Sequence, residues 1–356
     1  MDKLKELLKE LTEITGPCGF EEEVAAFIAK RLRNTVDSLE VDNSGNLIAI
    51  KKGSKPGPRI LVAAHMDEIG FIVKKVESNG LIRFEKLGGH DDRVLLSQRV
   101  QIQTAAGTRT GVIGTISAHM MKFDDPEKVR KHQNLYIDVG AASQQQVSDM
   151  GIRIGDPISW FPHFDFLTET RVAGKGFDDR AGCAVLIKAL EEIESEDFSG
   201  EFVGIFTVQE EVGLRGARVA SHYLNGDVAI ALDTTAVSDT PEEMMDNTLS
   251  LGGGTGIKVM DFSLIANKKV REHLVKLAEE NHIHYQLEIF PGIGTDAGEL
   301  SLANAGIPTG VLSIPSRNAH SSNEIIDLND LEATKDLLLV FIKNMHHSPK
   351  YKFQIS

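Results

Sequence analysis

Apolar positions near the start of the chain recur at helical spacing. Leu4, Leu7, Leu8, Leu11 and Ile14 fall on one helix face, and a second helix is predicted over residues 20–33. LEVDNSGNLIAIKKG then reads as a hairpin turning at Asn43-Ser44-Gly45-Asn46. RILVAAH, ending at His65, is apolar throughout its interior, the mark of a strand covered on both faces. From 69 to 166 the texture changes to short alternating strands (FIVKKV, LIRFEK, RVQIQT, TGVIGTI, LYIDVG) parted by turn signals such as Ser78-Asn79-Gly80. That stretch reads as a small all-β unit, with the charged segment 119–134 as an exposed loop inside it. After Arg171, helix and strand alternate. DDRAGCAVLIKALEEIE, KKVREHLVKLAEENH and LNDLEATKDLLLVFIKNM are helical, while EFVGIFTV, VAIALD and TGVLSI are strands. The predicted fold class is therefore α/β, a mostly parallel sheet covered on both faces and interrupted by a β insertion. Residues 1–68 and 167–356 would form the discontinuous main domain, and 69–166 the inserted one.

Length supports this two-unit reading, since 356 residues exceed the usual single domain. The net charge of −14 argues against nucleic-acid binding, which depends on Lys and Arg neutralising phosphate, and against anionic membrane surfaces. Two cysteines, Cys18 and Cys183, exclude a disulfide framework and fit a reducing compartment. No apolar run approaches the ~18 residues of a spanning helix. The N-terminal segment is an amphipathic helix and no signal peptide, so the cytoplasm is the expected location.

Candidate chemistry collects where the predicted strands end, which is where open α/β sheets bind ligands. RILVAAH ends in His65, with Asp67 two residues on. FTVQEE ends in Glu210 and Glu211, VAIALD in Asp233, and GVLSIPSRNAH leads to His320. Asp178 and Asp179 stand before a helix in GKGFDD. Each has an ordinary alternative. A histidine at a strand end is usually a hydrogen-bonded structural residue, Asp178-Asp179 could cap a helix, and Glu210-Glu211 could be a solvated loop. The coincidence at successive strand ends outweighs these alternatives. Two imidazoles with several carboxylates suit Zn²⁺, with Co²⁺ or Mn²⁺ as alternatives. Five ligands with one shared are too many for a single catalytic zinc and suit two ions about 3.5–4 Å apart. One of Glu210 and Glu211 would then bind metal, and the other would accept a proton from the attacking water. A glycosidase acid/base pair would leave the histidines and the other carboxylates without a role, and a non-catalytic scaffold would be expected to lack a ligand or the base. His90, His119, His132, His163, His222, His282, His284, His346 and His347 lack such a setting and are read as structural or solvated.

AAHMDEIGF, GKGFDDRAGC, TVQEEVGLRGA, ALDTT, GIGTDAG and RNAHSSNEIID resemble, in this order, the signature blocks of the tetrahedral (TET) aminopeptidases. This is the family of glutamyl and deblocking aminopeptidases whose members are often labelled endoglucanases. The resemblance spans essentially the whole chain. It implies His65, Asp178 and Asp233 around one metal, Asp178, Glu211 and His320 around the other, and Asp178 as the bridge. It further implies Glu210 as general base, Asp67 as the residue orienting His65, and a cis peptide between Asp178 and Asp179. The inserted unit would be PDZ-like and would help build dimers and then a hollow dodecamer acting on peptides.

Overall fold

In the computed structural model the described residues are 2–123, 128–242, 245–345 and 351. His346, His347 and residues 124–127 of the expected 119–134 loop lie outside them. Leu4, Leu7, Leu8 and Leu11 are all buried on one face of α1 (Asp2–Glu13), as their spacing requires. α2 (Glu22–Leu32), β1 (Ser38–Val41), β2 (Leu47–Lys52) and β3 (Lys55–His65) follow. The next strands are β4 (Gly70–Val76), β5 (Ile82–Leu87), β6 (Arg99–Thr104), β7 (Gly107–Ile113), β8 (Ile137–Asp138) and, after α3 (Gln144–Asp149), β9 (Pro157–Trp160). The chain continues through β10 (Phe164–Phe166), β11 (Arg171–Gly174), α4 (Phe177–Glu192), β12 (Ser199–Thr207), α5 (Arg215–Tyr223) and β13 (Val228–Ala236). It closes with β14 (Thr255–Asp261), α6 (Lys268–Glu280), β15 (Tyr285–Phe290), α7 (Ala297–Ser301), β16 (Thr309–Arg317), β17 (Glu324–Asp327) and α8 (Leu328–Lys343).

Among the described residues, eleven strands form one mixed sheet in the order β1-β2-β12-β3-β13-β16-β17-β11-β10, with β14 beside β16 and β15 beside β14. The expectation of a mostly parallel sheet needs correction. Only β12/β3, β3/β13, β13/β16 and β14/β15 run parallel, and the other pairs are antiparallel. The cause is connection length. Helices carry the chain from β12 to β13 and from β13 to β16, whereas β1–β2 and β10–β11 are joined by short turns that reverse the chain. β3 shows why RILVAAH lacks alternation. Ile60, Val62 and Ala64 join the core under α1, α4, α6 and α8, while Leu61 and Ala63 join the opposite core with α5 and α7. α4 lies deepest: every residue from Asp179 to Leu190 is buried.

β4 to β9 close into a barrel, order β4-β5-β8-β7-β6-β9, around their own core. Phe71 packs edge-on against Phe84 and Trp160, with ring centroids 5.1 and 5.0 Å apart. The boundary expected at 166 cuts the β10–β11 hairpin, both strands of which pair within the large sheet. The 119–134 segment is not wholly exposed, because His132 is buried and hydrogen-bonded to Glu85.

Candidate metal centre

Parallel pairing at the middle of the sheet brings the candidate residues together. Thr207 at the end of β12 sits in register with His65 at the end of β3, so Glu210 and Glu211 emerge beside that imidazole. Asp233 lies within β13, two strands from β12 across β3, and Asp178 heads α4 under the same edge. His320 arrives on the turn between β16 and β17.

The geometry centres on Asp178. Its Oδ1 is 3.2 Å from His65 Nε2, and its Oδ2 is 3.4 Å from His320 Nε2. Asp233 Oδ1 is 3.9 Å from His65 Nε2, and Glu211 Oε1 is 3.3 Å from His320 Nε2. Two sets of ligand atoms, His65/Asp178/Asp233 and Asp178/Glu211/His320, each fall within 4.8 Å of one another, with Asp178 common to both. Both rings commit Nδ1–H to a carbonyl, His65 to Asp67 at 3.0 Å and His320 to Gly89 at 2.9 Å. Nε2 of each ring therefore points into the carboxylate cluster.

Without a cation the cluster is electrostatically frustrated, which is the test of fit. Burial, reinforced by Asp178 and opposed by His65, pushes the Asp233 carboxyl well above its usual range. Burial, with Asp233 and Glu211 nearby, does the same to Glu210, and Glu211 is also raised. Burial works against a charged His320, yet Glu211 and Asp178 outweigh it and push the ring up to about 12. His65 is raised against burial by Asp178 and Asp67. Asp178 is held well below the carboxylate range despite its burial, by the same two rings. Glu211 Oε1 is buried and accepts no hydrogen bond of good geometry. The upward shifts of both rings show that the cluster favours positive charge at its centre, where oxygen and nitrogen donors of this kind suit Zn²⁺, Co²⁺ or Mn²⁺. The residues fit a pair of divalent ions.

The support around the cluster was only partly legible in the sequence. Asp67 is fully buried, and its carboxylate accepts the N–H groups of Glu210 (2.9 Å) and Glu211 (3.1 Å). With both oxygens so engaged, it is the Asp67 carbonyl that meets the His65 ring, and the carboxylate stays 3.5 Å away. Asp179 accepts the His65 and Gly182 N–H groups at 3.2 and 3.0 Å, and the Asp178–Asp179 peptide is cis. Sequence reasoning missed Glu324. It is buried, and its two oxygens accept the N–H groups of Asp178 and His320, each at 3.0 Å. It also missed Glu68, which pairs with the buried Lys175 at 2.6 Å beneath the site, and Gly89, which belongs to the barrel. The adjacent acids Asp67-Glu68 just after a buried strand were the available hint for Glu68. Glu324 lies within the RNAHSSNEIID block without a role assigned to it there, and nothing local marks Gly89. Gln209 and His320 both adopt left-handed backbone (φ 55° and 61°), a conformation non-glycine residues hold mainly where surrounding contacts impose it.

A cleft of about 570 Å³ opens over the cluster, with Leu214, Phe262, Phe290 and Ile293 on its other wall. A family model described as M42 glutamyl aminopeptidase matches residues 45–337. The lysyl aminopeptidase of Pyrococcus furiosus is 34% identical over 97% of this chain and 99% of its own. Among solved structures, an aminopeptidase from the archaeon Desulfurococcus kamchatkensis superposes with a TM-score of 0.92 at 40% identity, covering 96% of this chain and 95% of that one. The TET1 peptidase of Pyrococcus horikoshii, which can assemble into a tetrahedron or a large octahedral shell, gives 0.87 at 33% identity over 95% and 99%.

Proposed function

The chain belongs to the M42 glutamyl aminopeptidase family, and on that premise we propose that it releases N-terminal residues from peptides at a pair of divalent ions. His65, Asp178 and Asp233 would hold one ion, and Asp178, Glu211 and His320 the other. The observation that carries this reading is the division of Asp178, one oxygen toward each histidine. Zn²⁺ is the first choice for this donor set, with Co²⁺ and Mn²⁺ next. When bound, such a pair supplies Lewis acidity to the attacking water and to the scissile carbonyl.

The chain's own residues do the rest. Glu210 lines the cleft as the buried carboxylate outside both ligand sets, which suits it to accept the water proton. The water oxygen bonds to the carbonyl carbon, the C–N bond breaks, and Glu210 delivers the proton to the departing amine. Asp67 is a positioning residue, because its two hydrogen bonds set where the adjacent glutamates diverge. The free α-amine of the substrate would meet the carboxylate-rich side of the cleft, restricting cleavage to the N-terminus.

The chain divides, on this reading, into a catalytic unit, essentially 1–68 and 167–356 with the β10 hairpin added, and an inserted unit built on the barrel. We assign the insertion a PDZ-like role in dimerisation and the whole chain to a dodecamer. Two buried free cysteines support a cytoplasmic setting. Among the described residues no helix is long and apolar enough to cross a membrane. The test is chelation followed by reconstitution on aminoacyl reporters with free and acetylated amines. Activity should vanish with the metal, return with Zn²⁺, Co²⁺ or Mn²⁺, and require the free amine. Equal cleavage of acetylated substrates, or hydrolysis of oligosaccharides alone, contradicts the reading.

A further inference from the structure

One wall of the cleft has no part in holding ions. It consists of Leu214, Phe262, Phe290 and Ile293, with Gly292 and Gly294 on either side of Ile293. The two segments brace each other. Phe262 donates its N–H to the Ile293 carbonyl at 2.9 Å, and a Cβ at Gly294 would stand 3.2 Å from the Phe262 ring. Any side chain at 294 would push that ring away, so the glycine lets the wall close. Phe262 is nonetheless 78% exposed, which leaves an aromatic face open at the cleft mouth.

Charge is missing from this wall. Among the described residues no Lys or Arg lines the cleft, and every acid that does so belongs to the ion-binding cluster or is Glu210. Polar groups behind the wall engage one another, although Lys258 Nζ and Glu288 Oε2 make no hydrogen bond of good geometry. The Thr235 hydroxyl donates to Glu288 Oε1 at 2.6 Å, and the fully buried Lys258 lies 3.0 Å from the same oxygen. Neither can turn toward a bound substrate without abandoning a buried partner.

We propose that this wall forms the subsite for the substrate's first side chain and selects a large apolar one, so peptides beginning with Leu, Ile, Met or Phe are the preferred substrates. The proposal rests on the aminopeptidase reading and narrows it. An acidic first residue would lose water against Phe262 and Ile293 and find no cation in return. A lysine would find rings and an isoleucine, with no carboxylate to spare from the cluster. An apolar side chain loses nothing and covers the exposed ring.

Two readouts on the metal-loaded protein test it. The first is kcat/KM for Leu, Phe, Glu and Lys reporters sharing one leaving group. The second is calorimetric affinity for the hydroxamates of leucine, glutamate and lysine, which share one chelating head and differ in the group that meets the wall. Leu and Phe should exceed Glu and Lys by at least about tenfold in both. Ile293→Lys and Phe290→Lys should each raise the Glu-to-Leu ratio by about tenfold or more. A wild-type preference for Glu or Lys, or an unchanged ratio in both variants, overturns the proposal. If no reporter is cleaved while leucine hydroxamate still binds best, the hydrolase reading fails and the subsite stands.

Discussion

At the residue scale, Glu324 joins two candidate ligands through their main chain, and its loss should be felt at the ions. Glu324→Gln keeps the volume but weakens acceptance from the Asp178 and His320 N–H groups. Metal affinity should fall about 10–100-fold, as is usual for groups that support ligands, and excess metal should restore turnover. Equilibrium dialysis of the variant checks this. The same residues fix a pH dependence for the metal-free protein. Burial raises Glu210 and Asp233, and it raises Glu324 to about 8 with help from Asp178; His320 rises to about 12. For each of these groups the folded state favours the proton. Its contribution is complete below the unfolded pKa and is lost as pH rises through the folded one. Asp178 has the opposite sign, but its contribution disappears only below roughly pH 4, outside the working window. Metal-free protein should therefore lose thermal stability from about pH 5 to 8, and added Zn²⁺ should stabilise most at the upper end, where its ligands shed protons. Melting curves with and without chelator across that range measure it, and a metal-free protein that grows more stable toward pH 8 contradicts it.

At the element scale, the barrel reaches the candidate site through one loop. Gly88 has φ 83°, and a Cβ there would stand 2.7 Å from Ile69 Cγ2 and 3.3 Å from Glu211 Cβ, while the next carbonyl holds His320. Gly88→Ala should cost about 1–3 kcal/mol through strain and contact. It should also lower occupancy on the Glu211/His320 side more than on the His65/Asp233 side, which anomalous scattering at the two positions would reveal. Equal loss at both would mean the loop acts on stability alone. This link was invisible in the sequence, because Gly89 and His320 are far apart along the chain and neither carries a local sign of the other. What could be read were strands covered on both faces, such as β3, since that burial removes alternation. Sheet direction could not be read at the flanks, because periodicity is identical in parallel and antiparallel strands. Closure of β4 to β9 into a barrel was hidden for a similar reason: alternation states that one face is buried, and says nothing of what buries it. His65, Glu211 and Asp233 could be read as candidates because β3, β12 and β13 run parallel and end on one side of the sheet, whereas Asp178 stands ahead of α4 and His320 on the turn beyond β16.

At the scale of the whole molecule, β15 is an edge strand, pairing only with β14 among the described residues, and it presents Leu287 and Ile289 to solvent. Ile265 is exposed nearby in sequence to β14. An uncovered apolar edge invites association, which agrees with the assembly proposed for this chain. Light scattering should give a mass many times the 38.9 kDa of one chain, and a stable monomer at working concentration would contradict it. Assembly and subsite alike depend for their meaning on the chemistry of Glu210 and Glu211. Metal content and turnover of Glu210→Gln, measured on one preparation, test that chemistry most directly. Metal content should match that of wild type, with two ions per chain expected of both, while turnover falls by ~10²–10⁴-fold. Loss of metal, or full activity with the metal in place, would contradict it.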